Sequence, residues 1–383
     1  MRFEFATATR VLFGSGVVRE IPKVVREFGN RALLVTGRNS ARAAPIEAEF
    51  EAAGIDSAIF RVEGEPTLQV AREGVQAARE GFHFVVGFGG GSAMDAAKAI
   101  AALTTNSGEP LDYLEGIGHG RPLKNAPLPF VAIPTTAGTG AEVTRNAVIG
   151  SPEHGVKASL RSPLLLAKLA VIDPDLTADL PSAVTATTGL DALTQLIEPF
   201  VSSRTNPLTD LFCREGLNRV SRCLLRAFRN GEDRDARESM SFASLLGGLA
   251  LANAGLGVVH GFAAPLGGML EAPHGALVSA LLPHSVGMNI RALRERAPDH
   301  PALQKYDEVA QILNANPHAK AEDAVIWLDA LCKQLEIVSL KSLGLEPSQI
   351  PELVDKASKA NSMKSNPIPL SPGELAEIAE NAL

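Results

Sequence analysis

The sequence predicts two domains of different class: an α/β domain with a mostly parallel sheet over residues 1–177, then an all-helical domain over 178–383. Three observations carry this expectation. The chain has 383 residues, too many for one ordinary core at roughly 150 residues per domain. Its first half alternates short apolar runs with stretches of helical periodicity. Its second half keeps three- and four-residue apolar spacing and offers no convincing strand.

Taken in order, residues 2–13 read as an opening strand or hairpin, with a turn at Gly14, Ser15 and Gly16. Residues 31–36, 57–62, 82–87 and 130–133 are short, apolar and bounded by Gly or Pro, as buried parallel strands are. Between them, residues 43–53 and 68–80 have helical periodicity, which completes the βαβα pattern of an open sheet. Proline interrupts regular structure twice, at Pro174 and Pro181, and marks the domain boundary. In the second half, residues 291–301 and 315–321 read as solvated connections and 367–383 as a last amphipathic helix. Residues 242–259 have Ser244 and Asn253 as their only polar side chains, yet their Gly and Ala content and the following His260, Pro265 and Glu271 favour a buried helix pair over a membrane span.

Composition excludes several function classes. Lys plus Arg at 36 against Asp plus Glu at 43 gives a net charge of -7, so there is no basic footprint for nucleic acid. Aromatics at 5% imply an aliphatic, Ala-rich core and few stacking platforms. Cys213, Cys223 and Cys332 form no CxxC pair, which fits a reducing compartment. The opening MRFEFATATR carries charge and no apolar signal run, so the expected location is cytoplasmic, without membrane association.

Two glycine-containing loops follow predicted strands. In VVGFGGGSAMDAAK, Gly89, Gly90 and Gly91 let backbone amides approach a ligand, and the following helix N-terminus adds its dipole, so a pyrophosphate is accommodated. The purely local alternative makes Ser92 an N-cap and Asp95 the completion of a capping box. The run is neither GxGxxG nor GxxxxGK[ST]. The second loop, IPTTAGTGAEVT, supplies Thr135, Thr136, Thr139 and Thr144 at the C-terminal end of a strand, where open α/β sheets bind ligands.

The helical half contributes a different chemistry. Asp191 and Gln195 lie four apart and therefore on one helix face. His260 and His274 stand in otherwise apolar, small-residue sequence, and buried polar groups need partners. Asp191, His260 and His274 make a two-histidine, one-carboxylate set suited to a divalent metal; satisfied core histidines are the plainer alternative.

GGGSAMDAAK, IPTTAGTGAEVT, TGLDALTQLIE and VHGFAAPLGG with PHG occur in one order and spacing over most of the chain. In these motifs the sequence resembles the iron-containing (group III) alcohol dehydrogenase family. The resemblance implies an α/β N-terminal dinucleotide-binding domain plus an all-helical C-terminal domain, the dehydroquinate synthase-like architecture, with the active site in the cleft between them. It implies hydride transfer between NAD(P) and a small-molecule alcohol or aldehyde, a metal polarising the substrate oxygen, and a homo-oligomer, dimer or larger. Residue by residue, Gly89, Gly90, Gly91 and Ser92 resemble the pyrophosphate site. Asp95 would sit near the nicotinamide ribose, and Thr135, Thr136, Thr139, Lys157 and Leu176 would line the cofactor. Asp191, His260 and His274 match three of four metal ligands, for Fe(II) or Zn(II).

Two departures bear on mechanism. Gln195 stands where the family usually has the fourth ligand, a histidine; its neutral amide oxygen is a weaker donor, which should lower Zn(II) or Fe(II) affinity and shift preference toward harder ions. Ala264 stands where another histidine is common, so the alcohol proton would leave through water, the cofactor ribose or His260, the candidate catalytic side chain. Maleylacetate reductases are similar to the family and work without metal, so a metal-free reductase is the first alternative and a dehydroquinate synthase-like lyase the second. After residues 31–36 the chain reads Gly37, Arg38, Asn39, Ser40 with no acid; Arg38 and the Ser40 hydroxyl would accept a 2′-phosphate, which leans the cofactor toward NADP. Arg145, Asn146 and Phe262 are candidates to face the substrate.

Overall fold

The computed structural model describes residues 2–383. They divide into two compact units. One comprises Ala6–Thr136 and Gly140–Thr177; the other comprises Ala178–Leu383, with Ala137–Thr139 and the described residues before Ala6 packed into it. Those two short segments lie within 1–177 by number, yet they fold with the helices.

The first unit is built on a six-stranded sheet ordered β1-β8-β5-β4-β2-β3, every pair parallel. Its strands are β1 (Val11–Phe13), β2 (Arg31–Thr36), β3 (Asp56–Arg61), β4 (Phe84–Gly89), β5 (Phe130–Pro134) and β8 (Leu169–Ile172). β4 and β5 are buried at every residue, which explains their unbroken apolar sequence: both faces of a parallel sheet are covered. Helices α1 (Ile21–Val25), α2 (Ala44–Ala52), α3 (Leu68–Ala78) and α4 (Gly91–Thr105) make the crossovers, and an antiparallel hairpin, β6 (Asn146–Ser151) with β7 (Val156–Arg161), stands apart.

The chain start departs from the expected hairpin. β1 is only three residues long and pairs in parallel with β8, Val11 opposite Ala170. The amides after it are taken by the buried carboxylate of Asp173, which accepts from Gly16 N at 3.0 Å and Val18 N at 3.2 Å. No returning strand can use those donors, so the turn leads into α1.

The second unit contains α5 (Ser182–Val201), α6 (Pro207–Arg229), α7 (Arg234–Ala254), α8 (Val258–Met269), α9 (His274–Arg296), α10 (Pro301–Asn314), α11 (Ala321–Gln334), α12 (Ile350–Ser358) and α13 (Pro372–Asn381). α5 is buried without interruption from Gly189 to Val201, so its neighbours wrap it on all sides and its polar residues must find partners inside. Among the described residues no single helix is long and apolar enough to cross a membrane; α7 and α8 meet at 97° and bury their apolar residues in the helical core. Residues 291–296, read from sequence as a solvated connection, continue α9. Ala292 and Leu293 are fully buried, while Arg291, Arg294 and Arg296 pair with Glu377, Glu322 and Glu374.

Candidate active site

The chain reverses its direction of travel across the sheet between β2 and β4, and the carboxyl ends of these strands are where open α/β sheets place ligands. β4 ends on Gly89, whose φ is +156°. A Cβ there would come within 2.8 Å of Ala93 and 3.6 Å of the Gly37 amide, the first residue beyond β2. Gly90 is the N-cap residue of α4 and no side chain caps it. Ser92 is therefore inside the helix, which overturns the capping-box alternative, and Asp95 turns away to accept from Val148 N at 3.1 Å.

The threonine loop joins this glycine turn. Thr135 N donates to Gly89 O at 2.9 Å, and Thr136 lies over Gly90, 3.4 Å from where a Cβ would stand. Arg42, which sequence reasoning passed over, donates to Thr135 Oγ1 at 3.3 Å and to Leu176 O at 2.6 Å. Gly37, Gly89, Gly90, Thr135, Thr136 and Leu176 thus share one end of the sheet. Arg38 is exposed, with Nη2 3.3 Å from Glu63 O, and Ser40 opens the short helical turn that carries Arg42. Thr139 belongs to the Ala137–Thr139 segment of the helical unit.

Three charged groups lie beneath the loops. Lys98 is 1% exposed and donates to Thr144 Oγ1 at 2.8 Å and Asn146 O at 3.0 Å. Burial lowers its pKa to about 8 against the opposing charges of Asp95 and Glu142. Burial likewise raises Asp95 to about 6, opposed by Lys98, and Glu142 to about 7. Lys157 acts on Asp95 through its charge and stands 3.6 Å from Glu65.

In the helical unit, Asp191 from α5, His260 from α8 and His274 at the start of α9 converge, with one ligand atom of each within 4.8 Å of the others. His260 Nε2 is 3.3 Å and His274 Nε2 3.8 Å from the same oxygen, Asp191 Oδ1. Asp191 and His260 are buried, whereas the His274 side chain keeps 36% exposure and leaves the group open on one side. Burial would raise the Asp191 pKa, but hydrogen bonding from His260 and the nearby His274 charge hold it below its ordinary value. Burial alone would lower His260; the carboxylates of Glu198 and Asp191 override it and push the imidazole up to about 10.

Gln195 lies one turn after Asp191 and hydrogen-bonds it. Its buried Oε1 has no partner among the described residues. Two imidazoles, a carboxylate and an orphaned amide oxygen fit a divalent cation. Ala264 is exposed one turn after His260. Phe262, expected to face the substrate, is 0% exposed in the helical core: two residues along a helix do not share a face with His260. Glu198 and Lys98 were missed. The available signal was spacing, since Glu198 falls on the face of Asp191 in an apolar helix and Lys98 one turn after Asp95.

Family models match almost the whole chain: iron-containing alcohol dehydrogenase over residues 8–174 and the C-terminal model of the same family over 185–383. Alcohol dehydrogenase 4 of Saccharomyces cerevisiae (strain YJM789) is 34% identical over 377 residues, covering 97% of this chain and 96% of that protein. A crystal structure of 1,3-propanediol oxidoreductase superposes with a TM-score of 0.92 at 32% identity, with both chains covered in full. Sulfoacetaldehyde reductase from Bifidobacterium kashiwanohense, solved with NAD+, superposes at 0.88 and 27% identity, covering 100% of this chain and 99% of that one.

Proposed function

The chain belongs to the iron-containing alcohol dehydrogenase family, and from that premise we propose that it is an NAD(P)-dependent alcohol dehydrogenase or aldehyde reductase using a divalent metal. The carrying observation is the convergence of Asp191, His260 and His274 within 4.8 Å. These three would hold Fe(II) or Zn(II), with Gln195 Oε1 as a fourth, weaker donor. Bound there, the metal supplies Lewis-acid polarisation of the substrate oxygen.

The remaining work falls to the chain's own groups. The amides at Gly89, Gly90, Gly91 and Ser92 take the pyrophosphate at the start of α4. Asp95, Thr135, Thr136, Thr139, Lys157 and Leu176 line the cofactor. With Ala264 in place of an imidazole, and both His260 nitrogens engaged, Nδ1 by Glu198 and Nε2 beside Asp191, the alcohol proton leaves through water or the cofactor ribose. The absence of an acid in the Gly37–Ser40 stretch after β2 and the exposed Arg38 guanidinium favour NADP, because the position that commonly carries a carboxylate repelling a 2′-phosphate lacks one. Free Cys213, Cys223 and Cys332 fit the cytoplasm, and the family expectation is a dimer or larger homo-oligomer.

Element analysis of protein prepared with and without Fe(II), paired with turnover of a short alcohol, tests the reading. Activity should fall on metal removal and return with the ion; full activity in metal-free protein overturns the Lewis-acid role. A clear preference for NADH over NADPH overturns the reading of Gly37 and Arg38.

A further inference from the structure

Glu198 follows Asp191 by seven residues on α5 and is 6% exposed. Its two oxygens are both engaged. Oε2 lies 2.7 Å from His260 Nδ1, and Oε1 accepts from Val259 N at 2.7 Å. The preceding amide, Val258 N, donates to Asn366 Oδ1 at 3.1 Å. The N-cap residue of α8, Gly257, has no side chain to do this, so the first turn of the helix is satisfied by two side chains from elsewhere. The approach is close: a Cβ on Gly257 would stand 2.8 Å from Asn366 Oδ1 and 2.9 Å from Glu198 Oε1. Asn366 is itself fixed, donating to Asn289 Oδ1 at 2.7 Å and Ile368 O at 2.8 Å.

An ionised carboxylate only accepts, so the imidazole nitrogen facing Glu198 carries the hydrogen. The other nitrogen, Nε2, then faces the Asp191 oxygen that His274 also approaches. We propose that Glu198 is a positioning residue for the metal centre, holding His260 with Nδ1 as donor so that Nε2 is presented as a ligand beside Asp191 and His274. This rests on the metal-centre reading given under Proposed function. Glu198 meets His260 at Nδ1, the ring nitrogen opposite the one that faces Asp191; it acts through the ring, by orienting it and by raising its basicity as a donor.

The test is Zn(II) affinity, measured by chelator competition on the full-length protein. Glu198→Gln keeps the volume but turns one oxygen into a donor, which must oppose either the Val259 N–H or the His260 Nδ1–H. Its Zn(II) affinity should fall by about 10–100-fold. Asn366→Ala removes the other support of the same helix end without touching His260, so it should lose thermal stability while its Zn(II) affinity stays near that of the wild type. Equal weakening in both variants would mean that Glu198 only secures the helix end, and would overturn the proposal. A Glu198→Gln protein that binds Zn(II) as the wild type does overturns it too, leaving the metal centre standing. A wild type that takes up no Zn(II) overturns the metal reading itself, and this inference with it. If Glu198→Gln does not fold, proton NMR of the Zn(II)-loaded wild type decides: an exchange-protected hydrogen on His260 Nδ1 supports the proposal, and a hydrogen on Nε2 overturns it.

Discussion

Lys98 Nζ stands 2.8 Å from Thr144 Oγ1, so one buried ammonium ties the helix behind the glycine turn to the end of the threonine loop. A second bond to Asn146 O at 3.0 Å adds the start of β6. Both loops proposed to hold the cofactor therefore share a single internal brace.

Replacing that brace has a specific expected outcome. Lys98→Met keeps the apolar stem but strands two acceptors, and should lower stability by about 1–3 kcal/mol. Because the loops move relative to each other, KM for the cofactor should rise by more than kcat falls. Thermal denaturation and cofactor titration read the two effects, and an unchanged KM would contradict the brace.

Glu142 gives a pH dependence of known sign. Its pKa is raised on folding from 4.5 to about 7, by burial first, with its own backbone hydrogen bond and Lys98 opposing. The folded state thus binds more protons than the unfolded state between those values, so this group's contribution to stability is present below 4.5 and lost as pH rises toward 7. Glu142→Gln removes the titration. The stability of the wild type relative to that variant should decline from pH 4.5 to pH 7, as denaturant unfolding at a series of pH values would register.

Gln195 carries the expectation for metal choice. Its Oε1 is buried and has no partner among the described residues, and an imidazole is the stronger donor to Zn(II). Gln195→His should tighten Zn(II) binding by about tenfold, equivalent to about 1.4 kcal/mol, and should do less for Mn(II). Parallel chelator titrations with the two ions compare them directly; an equal gain for both would argue that the amide is not a ligand.

Gly138 offers a test of packing. A Cβ at this position would lie 2.7 Å from Thr188 Cβ and 3.0 Å from Thr188 O, and a helix backbone yields poorly. Gly138→Ala should cost about 1–3 kcal/mol, seen as a lowered midpoint in denaturant. A midpoint equal to that of the wild type would show that the loop relaxes freely.

Legibility in the sequence followed burial. β2, β4 and β5 stood out because central parallel strands are apolar on both faces. β8 is four residues long, and the β6–β7 hairpin is half-exposed along much of its length, so neither left a run distinct from its surroundings. Asp191, His260 and His274 were readable as polar groups in apolar sequence, and the fold does bring them together. The contacts of Lys98 with Thr144 and of Glu198 with His260 span 46 and 62 positions. No local spacing encodes such pairs; they exist only once the elements pack. Phe262 was misjudged by proximity along the chain, where helical direction governs.

The three residues Ala137–Thr139 have a consequence for dissection of the molecule. They are numbered among the first unit but packed in the second, with Gly138 against Thr188. A fragment ending at Thr177 would carry a short stretch whose lodging lies beyond the cut, and a fragment starting at Ala178 would carry the vacant berth. A cut at Thr177 therefore separates Ala137–Thr139 from the helices they pack with, and either fragment should be less stable than its length alone suggests.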